Sequence, residues 1–410
     1  MINSCIIAHI GKQKNNKSKH IIGQTVSILL SLLVVLLLQS CSTIDDFFTG
    51  EDNSKPPTEL EEINQVVSLS TQWSKDVGAG NDEAFVRLYP AISGTTISLI
   101  DRDGMLSGLD RFSGKILWQK DLEMTITGGL GVTDNFLFTS NDNAELIALD
   151  IETGEQLWKK TLSSISLSKP LVSGDVLVVR TLDGKLYGLL KENAEQIWIY
   201  DRGVPVLTFR GNSSPVIGGE ELVFTGFDSG KVAAIGLQHG RLLWETTAAV
   251  PRGRSDIERM VDIDGDPILV GRSLFVVTIN GRVVSIDAIT GKLNWARDIS
   301  SFVGMGVDKR NIYITDSDNN IWAFGQKNGE ILWKQDKLKY RQLTSPTIIG
   351  KNLLVSDFEG YVHVLSTIDG ELIGRKQFDS EGYLVSPVVY KDDIYLYGNS
   401  GSITSIKLTQ

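Results

Sequence analysis

The sequence predicts an all-β protein, an eight-bladed β-propeller of four-stranded antiparallel blades that occupies residues 70–410. Three observations predict this fold class. Tryptophan recurs at a regular interval, each repeat contains two turn signals, and the last repeat lacks a strand that the N-terminal part of the chain can supply.

The regular interval is set by tryptophan. Seven Trp residues share one position of the repeat and Gly374 holds the eighth, so the mean spacing from Trp73 to Gly374 is 43 residues. Repeats of roughly 20–50 residues are typical of solenoids, propellers and arrays. The seven residues are Trp73, Trp118, Trp158, Trp198, Trp244, Trp295 and Trp333. One shared strand position predicts packing between neighbouring blades rather than stacking on a ligand.

Two turn signals in each repeat distinguish strands from helices. The first is an Asp-Gly or Asn-Gly pair between alternating apolar runs, as at Asp103-Gly104, Asp183-Gly184 and Asn280-Gly281. Such pairs tolerate positive φ and are strong hairpin signals. The second ends in Gly just before the Trp strand, as in "TGEQLW". Helical repeats would not place two such turns so close together, so four short strands per repeat are expected.

The ends of the repeat array complement each other. The last repeat stops at Gln410 without a Trp strand, whereas "STQWSKDV" around Trp73 is a Trp strand without a repeat of its own. Pairing this N-terminal strand with the C-terminal blade would complete the eighth blade and close the ring. Closure of this kind limits edge-to-edge aggregation.

The first 40 residues have the pattern of an export signal. Four Lys precede an apolar run over residues 21–38, with no acidic residue among them. The run ends in "LLQSC", which resembles the lipobox of bacterial lipoproteins and implies that Cys41 is acylated and begins the mature chain. An uncleaved transmembrane anchor is the alternative, because the run is near the lower limit of a spanning length. Residues 41–69 are acidic and are expected to form a flexible tether.

Composition excludes several classes of function. The net charge of −10 becomes −14 once residues 1–40 and their four Lys are removed, which argues against binding to nucleic-acid phosphates. The only cysteines are Cys5 and Cys41, so no disulfide framework is expected.

Known catalytic and metal motifs are absent from the sequence. The mature chain has only His239 and His363, and it lacks HExxH, GxSxG and CxxC. The string "DIDGDP" resembles the start of a Ca²⁺ loop, but Pro267 and Ser273 stand where that loop needs Gly and Glu. We therefore assign no catalytic residue and no metal site.

Two long connections between blades are candidates for a binding surface. From Trp198 to Pro215 there are 17 residues and from Trp244 to Pro267 there are 23, against 12 or 13 for the short connections. We call residues 199–215 the first long loop and residues 245–267 the second long loop. They follow consecutive blades and emerge on one face of the ring, so they should be neighbours. Loops that combine Arg with apolar residues often bind partners; the alternative is that both are solvated loops without a binding role.

The Trp repeat from Trp73 to Gln410 resembles the eight-bladed propellers related to quinoprotein dehydrogenases. Those enzymes hold pyrroloquinoline quinone with adjacent cysteines, a Ca²⁺ ion and an Asp base, whereas this chain has no pair of cysteines after Cys41. The resemblance implies the fold, and no cofactor is expected. A periplasmic quinoprotein-like enzyme or cofactor-binding propeller is the alternative function. A propeller that binds peptides or polymers by its channel or blade edges is the third.

A closer resemblance involves the lipobox, the non-catalytic propeller and the strings "RGVPVLTFRG", "SDIERMVDIDGDP" and "DSEGY". Together they resemble the BamB family, the lipoprotein propellers of the β-barrel assembly machinery. This implies a non-enzymatic scaffold, lipid-anchored at the outer membrane and facing the periplasm. It would bind the POTRA domains of BamA within the barrel assembly complex, with transfer of unfolded outer-membrane proteins as a second expected role.

The same resemblance implies which residues bind the partner. In that family an apolar-x-apolar-Arg run and an Asp-x-Asp pair contact BamA. The matching residues are Leu207, Phe209, Arg210, Asp262 and Asp264. Two roles stay open for the two Asp residues, which either contact the partner directly or support the loops from within the protein.

Overall fold

The computed structural model describes residues 55–80, 86–209, 213–219 and 221–409. Its secondary structure in these ranges consists of 32 β-strands, and residues 57–410 form one compact unit. Within the same ranges no helix is long and apolar enough to cross a membrane. Cys41 and Arg210, two of the expected functional residues, lie outside the described residues.

The strands are grouped in consecutive fours after an isolated first strand, β1 (Ser68–Asp76). Blade 1 contains β2 (Ala91–Ser93), β3 (Thr96–Ile100), β4 (Met105–Asp110) and β5 (Ile116–Asp121). Blade 2 contains β6 (Ile126–Val132), β7 (Phe136–Asn141), β8 (Glu145–Asp150) and β9 (Gln156–Thr161). Blade 3 contains β10 (Leu171–Ser173), β11 (Val176–Arg180), β12 (Lys185–Leu190) and β13 (Gln196–Asp201). Blade 4 contains β14 (Val216–Gly218), β15 (Leu222–Gly226), β16 (Lys231–Gly236) and β17 (Leu242–Thr247).

The second half of the ring repeats this order. Blade 5 contains β18 (Ile268–Val270), β19 (Ser273–Val277), β20 (Arg282–Asp287) and β21 (Leu293–Asp298). Blade 6 contains β22 (Met305–Val307), β23 (Asn311–Thr315), β24 (Ile321–Gly325) and β25 (Ile331–Gln335). Blade 7 contains β26 (Thr347–Ile349), β27 (Asn352–Ser356), β28 (Tyr361–Ser366) and β29 (Leu372–Gln377). The last three strands are β30 (Val388–Tyr390), β31 (Asp393–Tyr397) and β32 (Ser402–Thr409).

Each blade is an antiparallel sheet whose strands follow one another in chain order. The eighth blade joins the two ends of the propeller, because β1 pairs with β32 from Ser68 opposite Thr409 to Asp76 opposite Ser402. The predicted fold class, the blade count and the closure of the ring by an N-terminal strand are confirmed.

The second and third strands of the blades are buried on both faces by neighbouring blades. β11, with the sequence "VLVVR", is buried at every position, which suits a run of β-branched and aliphatic residues. The turns that follow such strands use positive φ, with 98° at Gly104 and 84° at Gly184. The sequence pattern and the backbone therefore agree on where the hairpins lie.

The repeat tryptophans join each blade to the next. The indole N–H of Trp198 donates to the carbonyl of Leu237 at 2.7 Å, and its ring lies against Gly240, whose φ is 64°. A Cβ at Gly240 would come within 2.8 Å of that ring. Equivalent indole bonds of 2.8–3.2 Å run from Trp73, Trp158, Trp244, Trp295 and Trp333 to the carbonyls of Arg111, Lys191, Ala288, Gln326 and Thr367.

Gly374 replaces the eighth tryptophan because the chain itself crosses the outer strand of blade 7 there. The backbone N–H groups of Val66 and Val67 both donate to the carbonyl of Ile373, at 2.9 Å each. A Cβ on Gly374 would lie 2.5 Å from the carbonyl oxygen of Val67. An indole at this position would therefore occupy the space through which the chain reaches β1.

Residues 58–67, which we call the N-terminal strap, pack on blades 6 and 7. The N–H of Thr58 donates to the carbonyl of Lys339 at 3.1 Å, and Arg341 donates to the carbonyl of Thr58 at 3.1 Å. Leu60 and Ile63 pack against the buried cluster of these blades. The expectation of a flexible tether up to residue 69 thus does not hold for the strap, because its spaced apolar residues bury surface within an acidic segment.

Candidate partner-binding face

The connections between blades and the hairpins between second and third strands share one face of the ring, here called the loop face. Backbone bonds join these connections to the hairpins of their own blades, for example from Leu162 N–H to Ala144 O at 2.8 Å and from Ala248 N–H to Gly230 O at 2.8 Å. In blade 3 the hairpin lies directly against the start of the first long loop, because a Cβ on Gly184 would be 3.2 Å from the carbonyl carbon of Gly203. The first and second long loops therefore both lie on the loop face. Since they leave consecutive blades, they are neighbours there.

A groove of about 460 Å³ separates the two long loops. Its lining is mostly apolar on both sides, and the hairpin of blade 4 contributes Asp228 and Ser229. The first long loop contributes Pro205, Val206 and Leu207, and the second contributes Pro251, Met260 and Val261 together with the charged Asp256 and Arg259. The length of the second long loop indicated it as a candidate surface, but no signal in the sequence distinguished Pro251, Met260 and Val261 from its other residues.

Exposed apolar side chains surround this groove. Leu207 is 54% exposed, Phe209 is 45% exposed, and Val206 is fully exposed. Val250 and Ile257 of the second long loop are exposed as well. Adjoining exposed apolar residues of this kind are typical of protein interaction sites. Two of the residues that the resemblance implied, Leu207 and Phe209, thus lie at the surface, and Leu207 lines the groove.

The acidic residues of the second long loop hold the first long loop in place. The carboxylate of Asp262 accepts the backbone N–H of Phe209, and that of Asp266 accepts the N–H of Ser214 at 2.6 Å. Asp262 and Asp264 are both buried. Their carboxylates therefore face the interior, so this geometry favours support of the loops over direct contact.

A buried ion pair lies beneath the same loops. Arg180 bonds Asp228 at 2.6 Å and also donates to the hydroxyl of Ser213 at 3.0 Å. Both charged side chains are almost completely inaccessible to solvent. This pair was not predicted from the sequence, although Arg180 ends a continuously apolar strand directly before a turn, which is an unusual place for a charged residue.

Burial disfavours the ionised form of the acids in this region. Burial, together with the nearby Asp228 and Asp264 carboxylates, raises the pKa of Asp262 to about 7, against the opposing N–H of Phe209. Burial likewise raises the pKa of Asp264 to about 6, although the positive charge of Arg87 opposes the shift. The Asp262 carboxyl that supports the first long loop therefore titrates near neutral pH.

Replacing Asp262 by Asn should alter how stability depends on pH. The folded pKa of about 7 is above the ordinary value of 3.8, so at intermediate pH the unfolded chain ionises first and ionisation favours unfolding. Stability contributed by the protonated carboxyl is lost as the pH rises from about 4 to about 7. Asn carries no charge, so its stability does not depend on this ionisation. The free energy of unfolding of the variant relative to wild type should therefore be about 1–3 kcal/mol higher at about pH 8 than at about pH 4.5. Urea unfolding at the two pH values measures this.

Asp256→Asn is the matched control, because Asp256 lies on the same loop but is exposed and pairs with Arg259. It should change stability little at either pH. Equal pH responses of the two variants would contradict the role given to the buried carboxyl of Asp262.

The two histidines of the described ranges, His239 and His363, and the residues around the ring axis do not form a catalytic centre. His363 is buried in blade 7, with Nε2 2.9 Å from Asp357, and no group of three or more His, Cys, Asp or Glu in the described ranges is arranged to hold a metal ion. A cavity of about 310 Å³ is lined by residues of six blades, among them Tyr89, Lys169 and Asp266. The carboxylate of Asp266 already accepts the N–H of Ser214, and the sequence has no adjacent cysteines. The residues that line this cavity therefore do not fit a quinone held with Ca²⁺.

An eight-bladed propeller that presents an apolar groove between two neighbouring loops has a surface of the kind that binds other proteins. The chain belongs to the family of the outer membrane protein assembly factor BamB, since the sequence model so described matches residues 102–335.

Relatives extend this match over most of the chain. The "Outer membrane protein assembly factor BamB" of Pseudomonas aeruginosa is 40% identical over 356 residues, which cover 86% of this chain and 93% of the relative. The protein of the same name from Legionella pneumophila is 35% identical over a match that covers 93% of this chain and 99% of the relative.

Solved structures give the same fold. The crystal structure of BamB from Moraxella catarrhalis has a TM-score of 0.76 at 29% identity and covers 83% of this chain and 99% of that chain. The quinohemoprotein alcohol dehydrogenase of Comamonas testosteroni has a TM-score of 0.67 at 12% identity, covering 88% and 82%. The second likeness shows the fold alone.

Proposed function

We propose that this chain is a non-enzymatic scaffold of the outer membrane protein assembly complex and acts at the periplasmic side of the outer membrane. Family membership supports the role, because relatives that match nearly their whole length are named outer membrane protein assembly factors. The observation that carries it in this chain is the apolar groove between the two long loops. A surface of this composition is suited to binding a folded protein domain.

The partner that we propose for this groove is BamA, through its periplasmic POTRA domains. Leu207 and Phe209 would bury apolar surface against it, and Arg210, the next residue in the chain, would pair with a carboxylate or carbonyl groups. Asp262 and Asp264 would contribute indirectly. Asp262 holds the first long loop through the N–H of Phe209, and the buried Asp264 shapes the turn that follows Asp262 through its carbonyl bond to Arg87.

Two further parts of the proposal concern the membrane and the substrates of the complex. Acylation of Cys41 would anchor the chain to the outer membrane, and the strap would then connect this anchor to the propeller. Unfolded outer-membrane proteins would be passed on while the scaffold is bound to BamA. Support for both rests on the sequence resemblance and the family.

Co-purification from detergent-solubilised membranes tests the proposal. Wild type should bring down BamA, and Leu207→Ala should weaken binding about 30-fold, as expected for an interface residue worth about 2 kcal/mol. Arg210→Ala should also weaken it. Leu117→Ala is the control, because Leu117 is a similarly exposed Leu on the outer strand of blade 1.

The outcomes separate function from site. Loss of BamA with the loop variants but not with Leu117→Ala supports both the scaffold role and the groove. If wild type brings down no BamA, the proposed function is wrong. If Asp262→Ala weakens binding while Asp262→Asn keeps it, the carboxyl supports the loop, since Asn retains an acceptor for the N–H of Phe209.

A further inference from the structure

A third connection on the loop face, residues 299–304 between β21 and β22, carries an exposed aromatic residue. We call it the third loop. Phe302 is 42% exposed, comparable with Phe209 of the first long loop. The length of this loop gave no reason to select it from the sequence, because the connection between β21 and β22 is short.

The third loop packs directly on the end of the second long loop. A Cβ added to Gly265 would lie 2.6 Å from the Cα of Gly304, so the two backbones touch with no side chain between them. Gly304 has a φ of 100°, which favours glycine at this position. The third loop and the second long loop also bond the same hairpin of blade 5. Ser301 N–H donates to Thr278 O at 3.2 Å, and Ile279 N–H donates to Asp262 O at 3.0 Å.

A single guanidinium joins the same two loops. Arg87 donates from Nη1 to the carbonyl of Asp264 at 3.3 Å and from Nη2 to the carbonyl of Phe302 at 2.6 Å. Arg87 precedes blade 1, which lies four blades away from blade 5 in a ring of eight. Its side chain therefore reaches these carbonyls from the opposite half of the ring, and it fixes the position of Phe302 relative to the turn at Asp264.

These contacts make the three loops one continuous unit. The first long loop is held by Asp262, the turn after Asp262 is held by Arg87, and Arg87 also holds the backbone of Phe302. An exposed Phe on a braced backbone has the properties of an interface anchor, because little side-chain or loop entropy is lost on binding.

We propose that the third loop belongs to the same binding face, with Phe302 as a contact residue and Arg87 as the residue that positions it. The inference rests on the proposed function, and the occupant is the same partner, BamA, which would offer Phe302 an apolar surface next to the one that covers Leu207 and Phe209. Continuity of the backbone contacts with the groove supports this choice of occupant.

Equilibrium binding of the full-length chain to purified BamA in detergent tests the inference. Phe302→Ala should weaken binding about 10-fold. Phe112→Ala is the matched control, because Phe112 is an exposed Phe, 60% accessible, in the turn between β4 and β5 on the face opposite the loops. The control should bind as wild type does.

Arg87→Met tests positioning, because Met keeps much of the side-chain length and removes the donors. It should weaken binding less than Phe302→Ala, and its added effect should be smaller in the Phe302→Ala background than in wild type, because part of that effect acts through Phe302. Additive losses in the double variant would overturn the role of Arg87 as a positioning residue.

The binding result for Leu207→Ala separates this inference from the proposed function. If Phe302→Ala binds like wild type while Leu207→Ala is weakened, the third loop is not part of the interface and the proposed function stands. If wild type itself does not bind BamA, the proposed function fails and the inference fails with it.

Discussion

Trp198→Ala is expected to lower the free energy of unfolding by about 3–5 kcal/mol. The indole is only 6% exposed, its N–H bonds Leu237 of the next blade, and its ring covers the backbone of Gly240. Truncation removes all three contacts and leaves a cavity between blades 3 and 4. Urea unfolding followed by far-UV circular dichroism measures the loss.

Ile197→Ala is the control for this result. Ile197 is the neighbouring residue of the same outer strand and is 40% exposed, so its truncation should cost no more than about 1 kcal/mol. Similar losses for Ile197→Ala and Trp198→Ala would mean that the tryptophan does not join the blades as its contacts indicate.

Asp357→Ala should also cost about 3–5 kcal/mol, because the buried Arg341 would lose one of its two carboxylate partners and several buried donors would lose their acceptor. The carboxylate of Asp357 bonds Arg341 at 2.8 Å and His363 at 2.9 Å, and all three side chains are buried. It also accepts the backbone N–H groups of Glu359 and Tyr361 at 3.1 and 2.9 Å. Calorimetry or urea unfolding of the variant measures the effect.

A surface ion pair provides the comparison for Asp357. Glu155 pairs with Lys120 of the neighbouring blade and is well exposed, so Glu155→Ala should change stability by no more than about 1 kcal/mol. If Asp357→Ala changes the free energy of unfolding equally little, the buried ion pair does not contribute to stability as its contacts indicate. Arg341 also bonds the strap, so Asp357→Ala should additionally loosen Thr58, which limited proteolysis would show.

The fold could be predicted from sequence because its signals are local and repeated. The Trp position and the glycine turns recur in each repeat, and a propeller is built from contacts between consecutive repeats. The structural reason for a glycine at position 374 could not be predicted in the same way. It depends on Val67, which reaches blade 7 from the other end of the chain.

The candidate site could be predicted only in part. Loop lengths and the resemblance pointed to the two long loops, and the structure places Leu207 and Phe209 at the surface of one of them. The bonds that shape the face were not accessible from spacing, because Arg87 and Phe302 are far apart in the sequence and meet only when the ring closes. The burial of Asp262 likewise depends on the loop packed over it.

The strap has a mechanical consequence. A pull applied to the N-terminal side of residue 58 acts first on the bonds between Thr58 and blades 6 and 7, and then on the N–H groups of Val66 and Val67. Only after these contacts have separated does tension reach Ser68 and the pairing of β1 with β32. Force on the N-terminal end therefore detaches the strap first, and the pairing that closes the ring stays intact during that step.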